Sequence, residues 1–249
     1  MARLKLLSVY NPKLQKGEKY GYFSAVLHLA PATLSGFNTC PKASGGCAAA
    51  CLNTAGRGGM FKPGTNTNKI QEARIRKTRH FFLNRTEFMI ELVKDIEILL
   101  IMAEKIGMTP VVRLNGTSDI RWELFPVHRN GETFHSIFEA FPDIQFYDYT
   151  KLPNRVRIPA NYHLTFSLNE SNSSDAKKML ESGMNVAVVF RGKAPKFPAK
   201  FWGKPVINGD DSDLRFLSTG TMGAVIVGLS AKGKARKDTS GFVQDVIES

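Results

Sequence analysis

The three cysteines of this 249-residue chain fall in one 12-residue stretch, Cys40-Pro-Lys-Ala-Ser-Gly-Gly-Cys47-Ala-Ala-Ala-Cys51. Thiols clustered in one flexible loop share a task, and three soft ligands at Cys-x6-Cys-x3-Cys spacing point to a metal. Three thiolates complete neither a four-thiolate zinc site nor a fully ligated iron–sulfur cluster, so one coordination position stays open. That suits a 4Fe–4S cluster whose unique iron faces a small molecule. Zinc would need a His, Asp or water as fourth ligand, and His28, His80, His128, His135 and His163 all stand away from the loop. Cysteines kept only for packing scatter among core positions, which these do not.

The elements that would position such a loop follow from the apolar pattern. Buried strands are expected at Tyr22–Leu29, Val111–Leu114, Ile144–Tyr147, His163–Ser167, Val186–Phe190, Pro205–Ile207 and Ala224–Val227. Helices are expected over Lys69–Phe82, capped by Asn68, and from Asn84 to Gly107, where Glu87 follows Asn84 at capping-box spacing. Shorter helical spacers read at Phe134–Ala140 and Ser174–Ser182, the latter stopped by Gly183. The spacers Lys151–Ala160 and Arg191–Lys204 are too rich in proline and base for full helices. Short buried strands alternating with helical spacers give parallel βαβ units. The fold class is therefore α/β, a partial or irregular parallel β/α barrel, with residues 1–249 as one domain.

In parallel α/β folds ligands gather where the strands end at their carboxyl side. Here those positions are polar: Asn115-Gly-Thr-Ser-Asp119, Asp148-Tyr-Thr-Lys151, Asn169-Glu170-Ser171, Arg191-Gly-Lys193, Asn208 to Asp213, and Ser230-Ala-Lys232. With the cysteine loop following the first strand, they share one rim. The candidate cavity groups are Asn115, Thr117, Asp119, Asp148, Lys151, Ser167, Glu170, Arg191, Asp210 and Lys232. The run Asp210, Asp211 and Asp213 also has the composition of a divalent-cation loop, and a glycine-rich stretch from Gly56 to Gly64 suits close approach to a ligand. His28 and His163 lie in strands and are expected to fill the core with their nitrogens satisfied, whereas His128 and His135 flank the Asn130-Gly131 turn and are expected at the surface.

Charge adds a second reading. Basic residues number 34 against 22 acidic ones, a formal net charge of +12 that favours polyanions. Arg74, Arg76 and Arg79 on the first long helix, with Lys232, would contact phosphates in a non-enzymatic nucleic-acid-binding protein whose zinc or cluster only staples the loop. No run reaches the roughly 18 apolar residues of a membrane span, and the amino terminus lacks a secretory pattern. The chain is thus expected to be soluble, without a membrane partner, and cytoplasmic, where thiols stay reduced.

Several stretches together resemble the bacteriophage gene product eighty-eight family: Cys40 to Gly59, Gln71-Glu-Ala-Arg-Ile-Arg-Lys-Thr-Arg79, Val111-Val-Arg-Leu-Asn-Gly-Thr-Ser-Asp119, Gln145-Phe-Tyr-Asp-Tyr-Thr-Lys151, Asn161 to Ser171, and Asp238-Thr-Ser-Gly-Phe242. The likeness spans nearly the whole chain and implies a phage-encoded protein in a host cytoplasm, without supplying an activity. In architecture, a three-cysteine loop after the first strand of a partial barrel is similar to radical S-adenosylmethionine enzymes. That similarity implies Cys40, Cys47 and Cys51 as ligands of three irons and S-adenosylmethionine on the fourth, with Asn115-Gly116-Thr117 where that family has a Gly-Gly-Glu turn. The spacing is x6 and x3 in place of x3 and x2, Ala50 replaces the usual aromatic, and the turn lacks its glutamate. Cluster binding survives these departures better than radical chemistry, and Lewis-acid chemistry at the unique iron is the other route left open.

Overall fold

The computed structural model describes residues 4–10, 12–61, 65, 68–192, 196–218 and 223–246. Pro63, Gly64 and Lys193, part of the sequence reading, lie outside the described residues. Strands β1 (Leu7–Ser8), β2 (Tyr22–Leu27) and β3 (Thr109–Arg113) are followed by a hairpin of β4 (Val127–Arg129) and β5 (Glu132–Phe134). Then come β6 (Gln145–Thr150), β7 (Tyr162–Ser167), β8 (Val186–Phe190), β9 (Lys200–Phe201), β10 (Lys204–Asn208) and β11 (Ile226–Ser230). The helices are α1 (Pro12–Gln15), α2 (Gly45–Ala49), α3 (Lys69–Leu83), α4 (Arg85–Lys105), α5 (Ile137–Ala140) and α6 (Ser173–Glu181).

Nine strands form one mixed sheet in the order β1-β2-β3-β6-β7-β8-β11-β10-β9. The seven from β2 to β10 are parallel, and only β1 and β9 run against their neighbours. Each expected strand is present as one of these seven, because a strand buried on both faces leaves an apolar run that stands out in sequence. The sheet does not close on itself: β1 and β9 are its two edges among the described residues.

Strand alternation sorts the side chains onto two faces. Phe23, Ala25 and Leu27 of β2, Val112 of β3 and Phe146 of β6 meet Phe81, Phe88, Leu92, Ile96 and Leu99 of α3 and α4 in the main core. A second core joins β7, β8 and β11 to Ala176 and Leu180 of α6. The opposite face is covered by the chain itself after β10: Leu214 and Phe216 pack on Tyr22, Val111 and Tyr147. This segment, with a 3-10 turn at Arg215–Ser218, was not legible as a core element from sequence.

Of three local expectations, one holds and two differ from the structure. Asn68 does cap α3, its Oδ1 accepting from Ile70 N and Gln71 N, both at 3.0 Å. Asn84, however, makes no side-chain cap for α4; its N–H instead closes α3 on His80 O at 2.8 Å, since the two helices follow one another directly. The expected Phe134–Ala140 helix shortens to α5, because Phe134 pairs with Val127 across a tight turn. Asn130 and Gly131 adopt φ of 53° and 84° there, the left-handed pair that such hairpins need.

Asp95 of α4 fixes the sheet edge. Its buried carboxylate accepts from the N–H groups of Lys5, Leu6 and Leu7, at 2.7 Å for Leu6 and 2.8 Å for Leu7. Replacing it by alanine orphans three main-chain donors at once, so Asp95→Ala is expected to cost about 3 kcal/mol. Urea unfolding measures this; a loss below about 0.5 kcal/mol, the level of an ordinary surface change, would show that water serves these amides equally well.

Candidate cysteine-lined site

The cysteine loop leaves β2 and is held from several directions. Thr39 Oγ1 donates to Ala30 O at 2.7 Å, Asp119 N donates to Thr39 O at 2.8 Å, and Cys40 Sγ lies 3.8 Å from Thr117 O. Ser44 caps α2, its Oγ accepting from Cys47 N at 3.2 Å and donating to Glu170 Oε2 at 2.7 Å. The other Glu170 oxygen accepts from Gly46 N at 2.6 Å. A β-carbon at Gly46 would lie 2.7 Å from Glu170 Oε1 and collide with Ser240 Oγ, so a larger residue would have to push both side chains aside. Cys51 Sγ accepts from Asn53 N at 3.5 Å, and Arg74 Nη1 of α3 reaches Asn53 Oδ1 at 2.5 Å. The loop is thus clamped between α3, the end of β7 and the carboxyl-terminal segment.

All three cysteines, each free and half-buried, line one cavity of about 200 Å³. The rest of its wall comes from the strand ends: Asn115, Thr117 and Asp119 after β3, Lys151 after β6, Ser167 of β7, Asp210 after β10 and Lys232 after β11. Polar pairs set their positions. Lys151 Nζ donates to Ser167 Oγ at 2.8 Å, Asp119 Oδ2 accepts from Lys151 N at 2.8 Å, and Lys232 Nζ meets Asp210 Oδ1 at 2.6 Å. Gly116 rests on the end of β2, where a β-carbon would come within 2.7 Å of Leu27 O.

Arg113 of β3 and Phe242 of the far terminus line the wall but were not among the sequence candidates, whereas Tyr149 belongs to the rim segment expected after β6. Arg113 pairs with Asp213 at 2.7 Å and stands over the Tyr149 ring at 4.8 Å. The signal for it was present, a lone arginine inside the apolar run Val111–Leu114.

Other candidates lie off the wall. Asp148 is fully buried behind it, accepting from Asn115 N at 2.7 Å and Tyr162 OH at 2.9 Å. Glu170 is spent on the cysteine loop, and Arg191 donates to Asp238 O at 2.8 Å and pairs with Asp245, tying down the carboxyl-terminal segment. The acidic run Asp210, Asp211 and Asp213 is not assembled as a cation loop, since Asp210 faces Lys232 and Asp213 faces Arg113. The helical arginines diverge: Arg74 turns into the loop, Arg79 Nε reaches Ser35 O at 3.2 Å, and Arg76 is exposed. His128 and His135 are exposed as expected, whereas the Nε2 of His163 is enclosed with no hydrogen-bond partner among the described residues.

Burial governs protonation around the cavity. It pushes the Cys51 thiol up to about 11 and raises Cys40, and the neighbouring cysteines add to both shifts. Burial likewise raises the Asp119 carboxyl and lifts Asp148 to about 7, against the pull of Arg113 and the Asn115 N–H. The Cys40 and Cys51 thiols are therefore protonated at neutral pH when nothing positive sits beside them, and a cation would have to displace those protons. Among the described residues no group of three or more His, Cys, Asp or Glu is arranged to hold a metal ion. No helix among the described residues is long and apolar enough to cross a membrane.

Residues 5–246 match the family model described as Gene product 88. No curated protein and no solved structure matches the chain.

Proposed function

We propose that this chain, which belongs to the Gene product 88 family, is an iron–sulfur protein that holds one 4Fe–4S cluster through Cys40, Cys47 and Cys51. The observation that carries this reading is that all the thiols of the chain face one cavity, at the rim where the parallel strands end. The donor set fits in kind: three soft sulfurs line a single space large enough for more than one ion. When bound, such a cluster supplies a Lewis-acidic iron or an electron for reductive cleavage of S-adenosylmethionine. The position of the loop after the first parallel strand supports the radical-enzyme-like form of the reading.

The remaining wall would serve the small molecule at the open iron. Lys151, held by Ser167, and Lys232, held by Asp210, offer positioned cations to an anionic group. Asp119 and Thr117 offer oxygens for an ammonium or hydroxyl. The apolar side chains of Leu229, Val189 and Phe242 limit water in the same space. A host cytoplasm would keep the thiols reduced.

The test is iron, zinc and acid-labile sulfide analysis, with an absorption spectrum, on protein purified without oxygen. Roughly four irons and four sulfides per chain with a broad band near about 400 nm are expected of a thiolate-bound cluster. One zinc and no colour would overturn the assignment and leave the thiols as a staple.

A further inference from the structure

A second cavity, of about 480 Å³, opens beside the cysteine site, and Asp119 lines both. Its walls come from the start of the cysteine loop, the junction of α3 and α4, and the segments at 119–125 and 152–154. Aromatic surface dominates one side. Phe82 stacks on Phe37 with centroids 4.6 Å apart, and Phe125 stands edge-on to Phe81 at 5.5 Å. Leu124 beside them is 61% exposed.

Three cations enter this apolar setting: Lys42, Arg85 and Arg121. The Arg85 guanidinium lies 3.7 Å from the Phe81 centroid and 4.3 Å from that of Phe125, held by its Nε on Phe81 O at 2.6 Å. Arg121 is positioned by its Nη2 on Asn154 O at 2.5 Å, and its Nε is enclosed with no hydrogen-bond partner among the described residues. None of the three forms an ion pair with a carboxylate among the described residues. Asp119, the carboxylate on this wall, is engaged by Lys151 N and faces Arg155. Positioned, unpaired guanidinium groups beside flat aromatic faces complement a ligand with anionic oxygens and a flat ring.

We propose that this second cavity binds a nucleotide, its phosphate on Lys42, Arg85 and Arg121 and its base against Phe82 and Phe125. The net charge of +12 favours the same ligand class. The chemistry is shared by a free nucleotide and by the end of a single strand. No cysteine lines this cavity, and Asp119 is the wall residue it shares with the cysteine site.

Equilibrium binding separates the cases. The probes are adenosine 5′-monophosphate, ribose 5-phosphate and a fluorescein-labelled ten-nucleotide oligodeoxythymidylate, measured with the full chain at low salt. The variants are Lys42→Gln, an exposed position, Arg121→Gln, and Lys105→Gln as a distant control. Saturable binding that weakens about tenfold or more in K42Q and R121Q, and not in K105Q, is expected. If adenosine 5′-monophosphate shows this, the source is a free nucleotide; if only the oligonucleotide does, the source is a strand. Binding that all three variants weaken alike, ribose 5-phosphate binding as tightly as the nucleotide, or no saturable binding of any probe would overturn the site. Iron, zinc and sulfide content of the same preparation reports the cluster reading separately, so its failure is distinguishable from failure of this one.

Discussion

Cys47→Ala is expected to purify colourless from an oxygen-free preparation, with iron and sulfide near zero, while unfolding close to the metal-free parent. Of the three cysteines, Cys47 is the one to remove first. Cys40 Sγ lies against Thr117 O and Thr39 Oγ1, and Cys51 Sγ caps the turn that starts at Leu52, so changing either disturbs the loop as well as the donor set. For the Cys47 thiol no such bond is found among the described residues, although its N–H is held by Ser44 Oγ, a bond alanine keeps. A difference of under about 1 kcal/mol in the metal-free state is therefore expected, within the range of mild substitutions. Full absorbance and full iron content in C47A would sink the cluster assignment; intact metal-free stability with lost colour would support it.

The second large effect belongs to a residue that touches the cavity yet acts chiefly as a frame. Asn115 is 2% exposed and uses its whole amide. Its Oδ1 accepts from Ser118 Oγ at 2.8 Å, Ile120 N at 2.9 Å and Trp122 Nε1 at 3.2 Å, and its Nδ2 donates to Ile120 O at 3.0 Å and Asp148 Oδ2 at 3.3 Å. Alanine would leave four buried groups unpaired, each worth about 1–3 kcal/mol when stranded, though not additively. Asn115→Ala is thus expected to destabilise the chain by roughly 3–5 kcal/mol, at the severe end for one substitution. Urea unfolding and hydrogen exchange at residues 116–122 would measure it. A loss below about 1 kcal/mol, the worth of one ordinary hydrogen bond, would mean that water or a shifted loop replaces the network.

These two residues show where sequence was informative. The cysteines announced themselves by spacing, and the strands by apolar runs long enough to be buried on both sides. Asn115 could be placed at a strand end, but its use as a hub depends on Trp122 and Asp148, which sequence does not bring near. Glu170 and Arg191 were placed on the rim correctly as segments, yet their side chains turn to hold the cysteine loop and the carboxyl-terminal segment. A polar residue after a strand can face the cavity or brace its wall, and only the tertiary partner decides. The second cavity was invisible for a related reason. Its walls come from four separate stretches, and of the arginines on the two long helices Arg85 lines it while Arg74, Arg76 and Arg79 do not. The acidic run after β10 split in the fold because two basic residues from different strands claimed its members.

Leu214 and Phe216 lie against the sheet face opposite the long helices, packed on Tyr22, Val111 and Tyr147. They act as a floor. Enlarging the cysteine-lined cavity along this face, past Arg113 and Tyr149, would cost that packing, so the bulk a ligand can bring is set chiefly by the rim segments.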